Sequence, residues 1–483
     1  MIMPAARLLC GFGFVSVTNL SRPSRLLAFA LIFGLSASAQ TIQYQRLLSL
    51  GPPGLVGQRP YAGVIQADNG ALYGTTLQGG ASNAGTIFRL NSTGSSSPTN
   101  LHTFGLVAGD GRNPMALVQG SDGALYGTTS IGGSNNTGTA YKINKDGTGY
   151  QVLHNFGSVA ADGANPQAGL IEGSDGFLYG TTFFGGSNDL GTVYKLKKDG
   201  GTYSNLRHFS PTGVDGADPD TALVQGRDGV LYGTTSLGGT NGAGAIFKIN
   251  TNGTGYLVLR SFSGLAGDGK NPDAALIQGS DSVLYGTTSS GGSNDLGTIF
   301  KLTTNNSSYV VLHRFASTGG DGQKPLSALL EARDGLLYGM TYLGGTDGKG
   351  TAFILNKDGT GYAVVRSFSA SGGDGQNPRA GLAQGNDLAL YGTTSNGGDS
   401  GFGTVLRFLP LATPQMLDLV LAGNSVKVRF SGVSTNHYQV FRSTNLVSWS
   451  FLSTLTMPAS GIATNIDSNP LFPAAWYRAA WIP

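Results

Sequence analysis

A motif that recurs at constant spacing is the feature that most restricts the fold of this chain. The pentapeptide Leu-Tyr-Gly-Thr-Thr, once changed to Leu-Tyr-Gly-Met-Thr, occurs seven times, and each copy lies 53 residues from the previous one. A Gly-Gly pair follows every copy. Units of one length predict a repeat architecture rather than several unrelated domains. The motif tyrosines are Tyr73, Tyr126, Tyr179, Tyr232, Tyr285, Tyr338 and Tyr391.

Each unit contains four short segments with strand character. In the unit taken as a model, strands A and B are predicted over residues 168–172 and 177–181, and strands C and D over 192–196 and 203–209. An Asp-Gly pair joins A to B and another joins C to D, because Asp-Gly tolerates the positive φ of tight hairpins. No segment after residue 40 has the three-and-four spacing of an amphipathic helix, so the chain is predicted to be all-β.

Four antiparallel strands in a unit of this length are typical of a β-propeller blade. Residues 44–50 resemble strand D, and the last repeat stops after strand C, at residues 403–408. The N-terminal strand is therefore predicted to complete the last blade of a seven-bladed propeller over residues 40–409. The glycine after each motif tyrosine is expected to permit close approach of the neighbouring blade.

The motif, the Gly-Gly pair, Gly-Thr-x-Phe-Lys-Leu and Gly-Asp-Gly-x-Asn-Pro together resemble the GloVer-type (Gloeo_Verruco) tandem repeat of exported bacterial proteins. The resemblance covers residues 43–408. It implies export and a propeller-like array, and it supplies neither an activity nor catalytic residues.

After Pro410 the period stops, and residues 410–483 are predicted to form a second, β-sandwich-like module. The module resembles the small fibronectin-like domains of exported bacterial proteins through Tyr438-Gln439-Val440, the segment 443–446, Trp449 and Trp476-Tyr477-Arg478. Its predicted role is stabilisation or spacing, and the alternative is a sorting or adhesion domain.

Residues 1–39 have the pattern of a secretory signal: two arginines, an apolar run over 26–35 and small residues up to a predicted cleavage site after Ala39. The run is too short to span a bilayer, which favours cleavage, and a retained anchor is the alternative. We expect a secreted or cell-surface protein without a transmembrane segment in its mature form. Cleavage lowers Lys plus Arg from 30 to 27, against 27 Asp plus Glu, and it removes Cys10, the one cysteine. The mature chain then lacks the basic footprint of nucleic-acid binding and any cysteine site.

One acid recurs in the loop from strand D to the next strand A, and position 56, a valine, breaks the series. This loop is expected on the same face as the loop from B to C. A face rich in Asp, Asn and Ser could bind calcium or sugar hydroxyls. Because the aspartate recurs in six units, we favour a structural role in which it forms an Asx turn in the loop between blades. The alternative is that the aspartates form a ligand-binding face. The acids are Asp110, Asp162, Asp215, Asp268, Asp321 and Asp374.

Histidine chemistry is not expected. His102, His154 and His313 occupy one strand D position that holds arginine in other units, so they are predicted to radiate outward without converging. No catalytic or metal-binding residue is assigned.

The sequence favours a non-enzymatic binding or scaffold protein for glycan, cell-surface or matrix partners. The alternatives are an extracellular carbohydrate-active enzyme with paired carboxylates, and a structural surface-layer component. Catalysis needs singular groups in an asymmetric site, and the exceptional acids Asp220 and Glu331 are expected to be scattered.

Overall fold

The computed structural model describes residues 15–18, 43–51, 56–212, 215–265, 267–409, 415–422, 425–431, 437–443, 450–456, 458, 462–468 and 474–482. Within these residues every regular element is a β-strand, which confirms the all-β prediction. No helix among them is long and apolar enough to cross a membrane. The predicted signal segment lies outside the described residues, except for Val15–Thr18, and so does its cleavage site.

The chain forms two compact units, and the larger comprises residues 44–384 and 390–407. Its described residues form seven blades, each an antiparallel sheet with the order A-B-C-D. Strands A are Ile65–Gln66, Val118–Gln119, Ile171–Glu172, Val224–Gln225, Ile277–Gln278, Leu330–Glu331 and Ala383–Gln384. Strands B are Leu72–Thr76, Leu125–Gly132, Leu178–Thr182, Leu231–Thr235, Leu284–Thr288, Leu337–Thr341 and Leu390–Thr394. Strands C are Thr86–Leu90, Thr139–Ile143, Thr192–Leu196, Ala245–Ile249, Thr298–Leu302, Thr351–Leu355 and Thr404–Leu409. Strands D of blades 1 to 6 are Thr99–Thr103, Gln151–Asn155, Tyr203–His208, Leu257–Ser261, Tyr309–Arg314 and Ala363–Ser367.

The N-terminal strand closes the ring, as predicted. Strand D of blade 7 is Gln43–Ser49, which lies beside strand C of that blade. Immediately after it, the Leu50 amide donates to Gly403 O at 2.9 Å. Blade 7 is also joined to blade 1, because Thr393 Oγ1 donates to Ala62 O at 2.9 Å. The two ends of the repeat region are thus joined by backbone and side-chain hydrogen bonds.

One face of the ring carries the loops from D to A and from B to C, which we call the entry face. In blades 3 to 7 these two loops pair as short antiparallel ladders, and in blade 2 Gly111–Pro114 pairs with an extended strand B. The predicted placement of both loops on one face is confirmed. The ladders are Gly163–Ala164 with Phe184–Gly185, Gly216–Ala217 with Leu237–Gly238, Gly269–Lys270 with Ser290–Gly291, Gly322–Gln323 with Leu343–Gly344, and Gly375–Gln376 with Asn396–Gly397.

Packing between blades buries strand B almost completely, and all seven motif tyrosines are at most 1% exposed. Tyr232 of blade 4, for example, packs in one apolar cluster with Leu284 and Phe300 of blade 5. The first threonine of the motif adds a polar link, because Thr181 Oγ1 donates to Thr221 O of the next blade at 2.9 Å. Because aromatic burial removes a large apolar area from water, these interfaces hold the blades side by side.

The glycine after each motif tyrosine was expected to make room for the neighbouring blade, and in most blades this expectation was wrong. A Cβ on Gly233 would lie 2.5 Å from Phe247 Cζ and 2.8 Å from Leu223 Cδ2, and both residues belong to the same blade. In six blades the glycine therefore admits a strand C aromatic of its own sheet, whereas a Cβ on Gly392 of blade 7 would lie 3.1 Å from Met340 Cε of the neighbouring blade.

The second unit contains two antiparallel sheets among its described residues. One has the order Val15–Thr18, Ala474–Ile482, His437–Ser443 and Ser450–Thr456, and the other contains Gln415–Ala422, Ser425–Ser431 and Ile462–Asp467. Val428 and Phe430 from one sheet share a buried cluster with Tyr438 and Val440 from the other. The fibronectin-like resemblance, which rests partly on Trp449 outside the described residues, stays a prediction, as do the domain boundaries at residues 40 and 410.

Candidate functional site

The recurrent aspartates lie at the interfaces between blades, just below the entry face. Asp268 is representative: its Oδ2 accepts from Arg260 Nη2 at 2.8 Å and from the Ser263 amide at 2.9 Å. Its Oδ1 accepts from the Gly269 amide at 2.9 Å and from Tyr309 Oη at 2.8 Å. Arg260 belongs to strand D of blade 4 and Tyr309 to strand D of blade 5, so one carboxylate ties two blades together.

The cation and the tyrosine of this arrangement also stack on each other. The Arg260 guanidinium lies 4.1 Å from the Tyr309 ring centroid, and the His154 and Tyr203 rings stack at 3.7 Å. We call each set of aspartate, cation and tyrosine an interface triad. The six triads are Asp110 with His102 and Tyr150, Asp162 with His154 and Tyr203, Asp215 with Arg207 and Tyr256, Asp268 with Arg260 and Tyr309, Asp321 with His313 and Tyr362, and Asp374 with Arg366 and Tyr44.

In four of the triads, hydrogen bonds and a nearby cation lower the pKa of the carboxylate. Burial opposes ionisation of Asp268, but the Ser263 amide, Tyr309 and the charge of Arg260 outweigh it and keep the Asp268 pKa below its ordinary value. The Asp110, Asp162 and Asp321 pKa values are lowered in the same way, against burial, by hydrogen bonds from a histidine, a tyrosine and a backbone amide. These side chains are committed to intramolecular bonds. Their direct contact with a ligand stays a prediction.

The histidines do not converge, because each belongs to a different interface. Among the described residues, no group of three or more His, Cys, Asp or Glu side chains is placed to hold a metal ion.

The seventh interface, between blades 7 and 1, lacks the triad. Leu48 stands at the position of the cation, Val56 at that of the aspartate and Pro98 at that of the tyrosine. All three members are replaced together by apolar residues, and Leu48 and Val56 are half-buried. A carboxylate left there without its partners would be costly. The break in the aspartate series is thus one part of a coordinated change.

A cavity of about 220 Å³ lies on the ring axis, where the D-to-A loops of all seven blades meet. Most of its wall consists of alanine, glycine and small hydroxyl residues. The residue after the loop proline is the exception, because it differs from blade to blade. From blade 1 to blade 7 these residues are Tyr61, Met115, Gln167, Asp220, Asp273, Leu326 and Arg379.

The loop proline fixes the position of this variable residue. A Cβ on Gly297, which precedes strand C of blade 5, would lie 2.7 Å from Pro325 Cδ of blade 6. Gly297 has a φ of +103°, so glycine is required there for conformation as well as for space. The same contact recurs around the ring and includes Gly403 with Pro60, which joins blade 7 to blade 1. Each variable side chain thus starts from an anchored backbone.

Two acids of neighbouring blades share the cavity. Asp220 Oδ1 is enclosed and accepts no hydrogen bond from any described residue. Burial, and next the charge of Asp273, raise the pKa of Asp220 to about 8. Burial raises the Asp273 pKa to about 6, against a 2.5 Å hydrogen bond from Ser289 Oγ. At pH 7 Asp220 is therefore mainly protonated and Asp273 mainly ionised.

A cation faces the cavity from another sector of the ring. The Arg379 guanidinium contacts two aromatic rings, at 4.2 Å from the Tyr61 centroid and 4.7 Å from the Tyr342 centroid. Arg379 is half-buried, and within the described part of the chain it has no hydrogen bond or ion pair. The cavity therefore combines a neutral acid, an ionised acid, an amide and an unpaired cation.

Sequence reasoning missed this site: it named Asp220 and Glu331 as scattered exceptions and did not consider Asp273, which lines the same cavity as Asp220. Glu331 is not part of it, since its carboxylate binds the Ser280 amide and Lys357 at the contact between blades 5 and 6. The sequence did contain a signal for the site, because the position after the loop proline holds a chemically different residue in most units.

Comparison with known proteins identifies the repeat. The family model of the Gloeobacter/Verrucomicrobia repeat matches residues 59–281 and 256–432, which together cover well over half of the chain. No curated protein matches the chain.

Several solved structures match the chain at low identity and low TM-score. A polysaccharide lyase described as an ulvan lyase, bound to an oligosaccharide, is 11% identical, with coverage of 79% of this chain and 92% of its own and a TM-score of 0.45. A putative 6-phosphogluconolactonase from Bacteroides uniformis is 15% identical, with coverage of 79% and 95% and a TM-score of 0.41. A Trypanosoma rangeli sialidase is 9% identical, with coverage of 80% and 72% and a TM-score of 0.37.

Proposed function

The chain belongs to the family of the Gloeobacter/Verrucomicrobia repeat, and we propose that it is an exported binding protein that takes one saccharide unit into the central cavity of its entry face. Export rests on the signal pattern of residues 1–39. The recurrent parts of the ring serve its structure, whereas the side chains at the cavity are singular. This difference supports the cavity as the site of recognition.

The observation that carries the proposal is the unpartnered Oδ1 of Asp220. A buried polar atom without a hydrogen bond costs about 1–3 kcal/mol, so a ligand that supplies the bond gains that amount. Sugar hydroxyls both donate and accept, which suits a protonated carboxyl at Asp220, the amide of Gln167 and the carboxylate of Asp273. A volume of about 220 Å³ lies below the range of roughly 300–1,000 Å³ for larger ligands. The size therefore favours a single sugar ring.

The test is a glycan array with purified mature protein, run with calcium and with a chelator. We expect selective binding that Asp220→Asn reduces at least tenfold and that persists in chelator. Asp199→Asn is the matched control, because Asp199 is exposed in the C-to-D turn on the opposite face. A blank array, or equal binding by both variants, contradicts the proposal. Loss of binding in chelator assigns recognition to calcium instead.

A second candidate function is cleavage of a glycan. The observation that favours it is the pair of unequal carboxyls, because Asp220 can donate a proton at neutral pH while Asp273 is ionised above about pH 6. Such a division between acid and base is the arrangement that glycoside hydrolysis uses. Analysis of products from every array hit decides between the two functions. Cleavage that both Asp220→Asn and Asp273→Asn abolish supports the enzyme, and unchanged glycans support the binding protein.

A further inference from the structure

Arg379 makes a cation–π contact that three other arginines of this protein also make, and those three are in addition paired with an aspartate. Arg207, Arg260 and Arg366 each lie 4.0–4.2 Å from a tyrosine ring centroid, and each is also paired with an aspartate. Arg379 has the same contact with two tyrosines and no carboxylate partner among the described residues. We infer that the saccharide in the central cavity carries a carboxylate, and that Arg379 binds it. This inference rests on the proposed function and names the class of its ligand.

Tyr61 and Tyr342 contact the Arg379 guanidinium through their rings, and these contacts leave its N–H donors available to an oxyanion partner. A planar fork of donors matches a carboxylate in a bidentate manner, and a lysine ammonium would not. Half-burial strengthens the attraction, because water screens such a pair less than it screens an exposed one.

The opposite sector of the cavity suits the rest of an acidic sugar. Asp220 and Asp273 come from blades 4 and 5, whereas Arg379 and Tyr61 come from blades 7 and 1. The two sectors therefore differ in charge. A sugar acid has the corresponding division, with a carboxylate on one side of its ring and hydroxyls on the other. Its hydroxyls would meet Asp220 and Asp273 when its carboxylate meets Arg379.

The test measures affinity for matched pairs of sugars that differ only in oxidation of the last carbon. The probes are glucose and glucuronic acid, galactose and galacturonic acid, and mannose and mannuronic acid, titrated calorimetrically into the mature protein. We expect one acid to bind at least tenfold more tightly than its neutral partner. Arg379→Met should lower the affinity for that acid at least tenfold and leave the affinity for the neutral sugar unchanged. The affinity of Arg379→Lys for the acid should lie between those of the wild type and Arg379→Met.

Lys270→Met is the matched control, because Lys270 is exposed on the same face outside the cavity and the substitution removes the same charge. It should leave both affinities unchanged. Equal binding of acid and neutral sugars that Arg379→Met does not affect overturns the inference and leaves the proposed function intact. A mature protein that binds no member of any pair overturns the inference, and a blank glycan array overturns the proposed function as well. Melting temperatures of all variants establish that each is folded.

Discussion

The guanidinium of Arg366 lies over the ring of Tyr44, 4.2 Å from its centroid. Arg366 belongs to strand D of blade 6, and Tyr44 belongs to the N-terminal strand that completes blade 7. Asp374 binds both residues, so the sixth interface triad forms only when the N-terminal strand is in place. The strand therefore joins the ring with the same side-chain chemistry that joins the other blades.

Tyr44→Phe tests this contribution to ring closure. Loss of the phenolic hydrogen bond to Asp374 should cost about 1–2 kcal/mol of unfolding free energy. Tyr256→Phe removes the equivalent bond to Asp215 at an internal interface and should cost a similar amount. Chemical denaturation of both variants measures the two costs. If Tyr44→Phe leaves the unfolding free energy unchanged while Tyr256→Phe lowers it, closure of the ring by the N-terminal strand is contradicted. A deletion of residues 40–51 that leaves the melting temperature unchanged contradicts it as well.

Asp268→Asn tests the structural role of the recurrent aspartates. The substitution removes the charge that Arg260 pairs with, and leaving that guanidinium half-buried without its partner should cost about 2–4 kcal/mol. Glycan binding measured below the melting temperature should not change, because the Asp268 carboxylate is occupied within the protein. Asp199→Asn serves as the control for stability. Loss of binding with unchanged stability would restore the ligand-face interpretation.

The seventh interface offers a test of the triad as a unit. Val56→Asp alone places a carboxylate without its cation in a half-buried position and should cost about 1–3 kcal/mol. Adding Leu48→Arg and Pro98→Tyr supplies both missing partners, so the triple variant should be more stable than Val56→Asp. Denaturation of the single and triple variants measures the coupling. A triple variant less stable than Val56→Asp contradicts the view that the three positions act together.

Much of the architecture could be predicted from the sequence. The spacing of Tyr73 to Tyr391 predicts the blades, and the strand-D-like residues 44–50 predict the closure that the structure shows. Predicted strand C of the model unit agrees with Thr192–Leu196, whereas strand A is reduced to Ile171–Glu172. Residues 168–170 instead contribute to the contact with the preceding blade, where Ala168 O accepts from Thr128 Oγ1 at 2.6 Å.

The site was harder to predict from the sequence. A search for recurrent residues identifies those that build the blades, and it misses positions whose residue differs from unit to unit. Asp268 recurs, but its pairing with Arg260 and with Tyr309 of the next blade depends on how neighbouring sheets pack. The joint change of Leu48, Val56 and Pro98 is visible in the sequence once the triad is known. The residues that follow the seven loop prolines meet at one axis because the ring is closed, and their meeting could not be predicted from the spacing of the repeats alone.

Acid should destabilise the propeller through the triads. Asp110, Asp162, Asp268 and Asp321 have folded pKa values below those of the unfolded chain, so the unfolded state binds more protons as the pH falls. Their stabilisation is present above about pH 4 and is lost below it as these carboxylates protonate. Melting temperature from pH 7 to pH 2 measures this loss, and Asp268→Asn should flatten part of it. A melting temperature that is independent of pH below 4 contradicts the prediction.

Asp220 should affect stability in the opposite direction. Its folded pKa of about 8 exceeds the unfolded value near 3.8, so the folded state holds the proton more tightly. Stability from this group is complete below about pH 4 and falls as the pH rises toward 8. Asp220→Asn should therefore be more stable than wild type at pH 8, by about 1–3 kcal/mol, with little difference at pH 4. A variant that is less stable than wild type at pH 8 contradicts burial of an unpaired acid.

The central claim is that the ring axis holds an unpaired acid that a ligand completes, and the pKa of Asp220 tests it most directly. Carbon-13 NMR of the aspartate carboxyls, assigned by comparison with Asp220→Asn, follows this one group through a pH titration. We expect the Asp220 carboxyl to titrate near pH 8 in the free protein and its pKa to change when a glycan identified on the array is added. An Asp220 carboxyl that titrates near its ordinary value of about 3.9, with or without the glycan, would contradict the central claim.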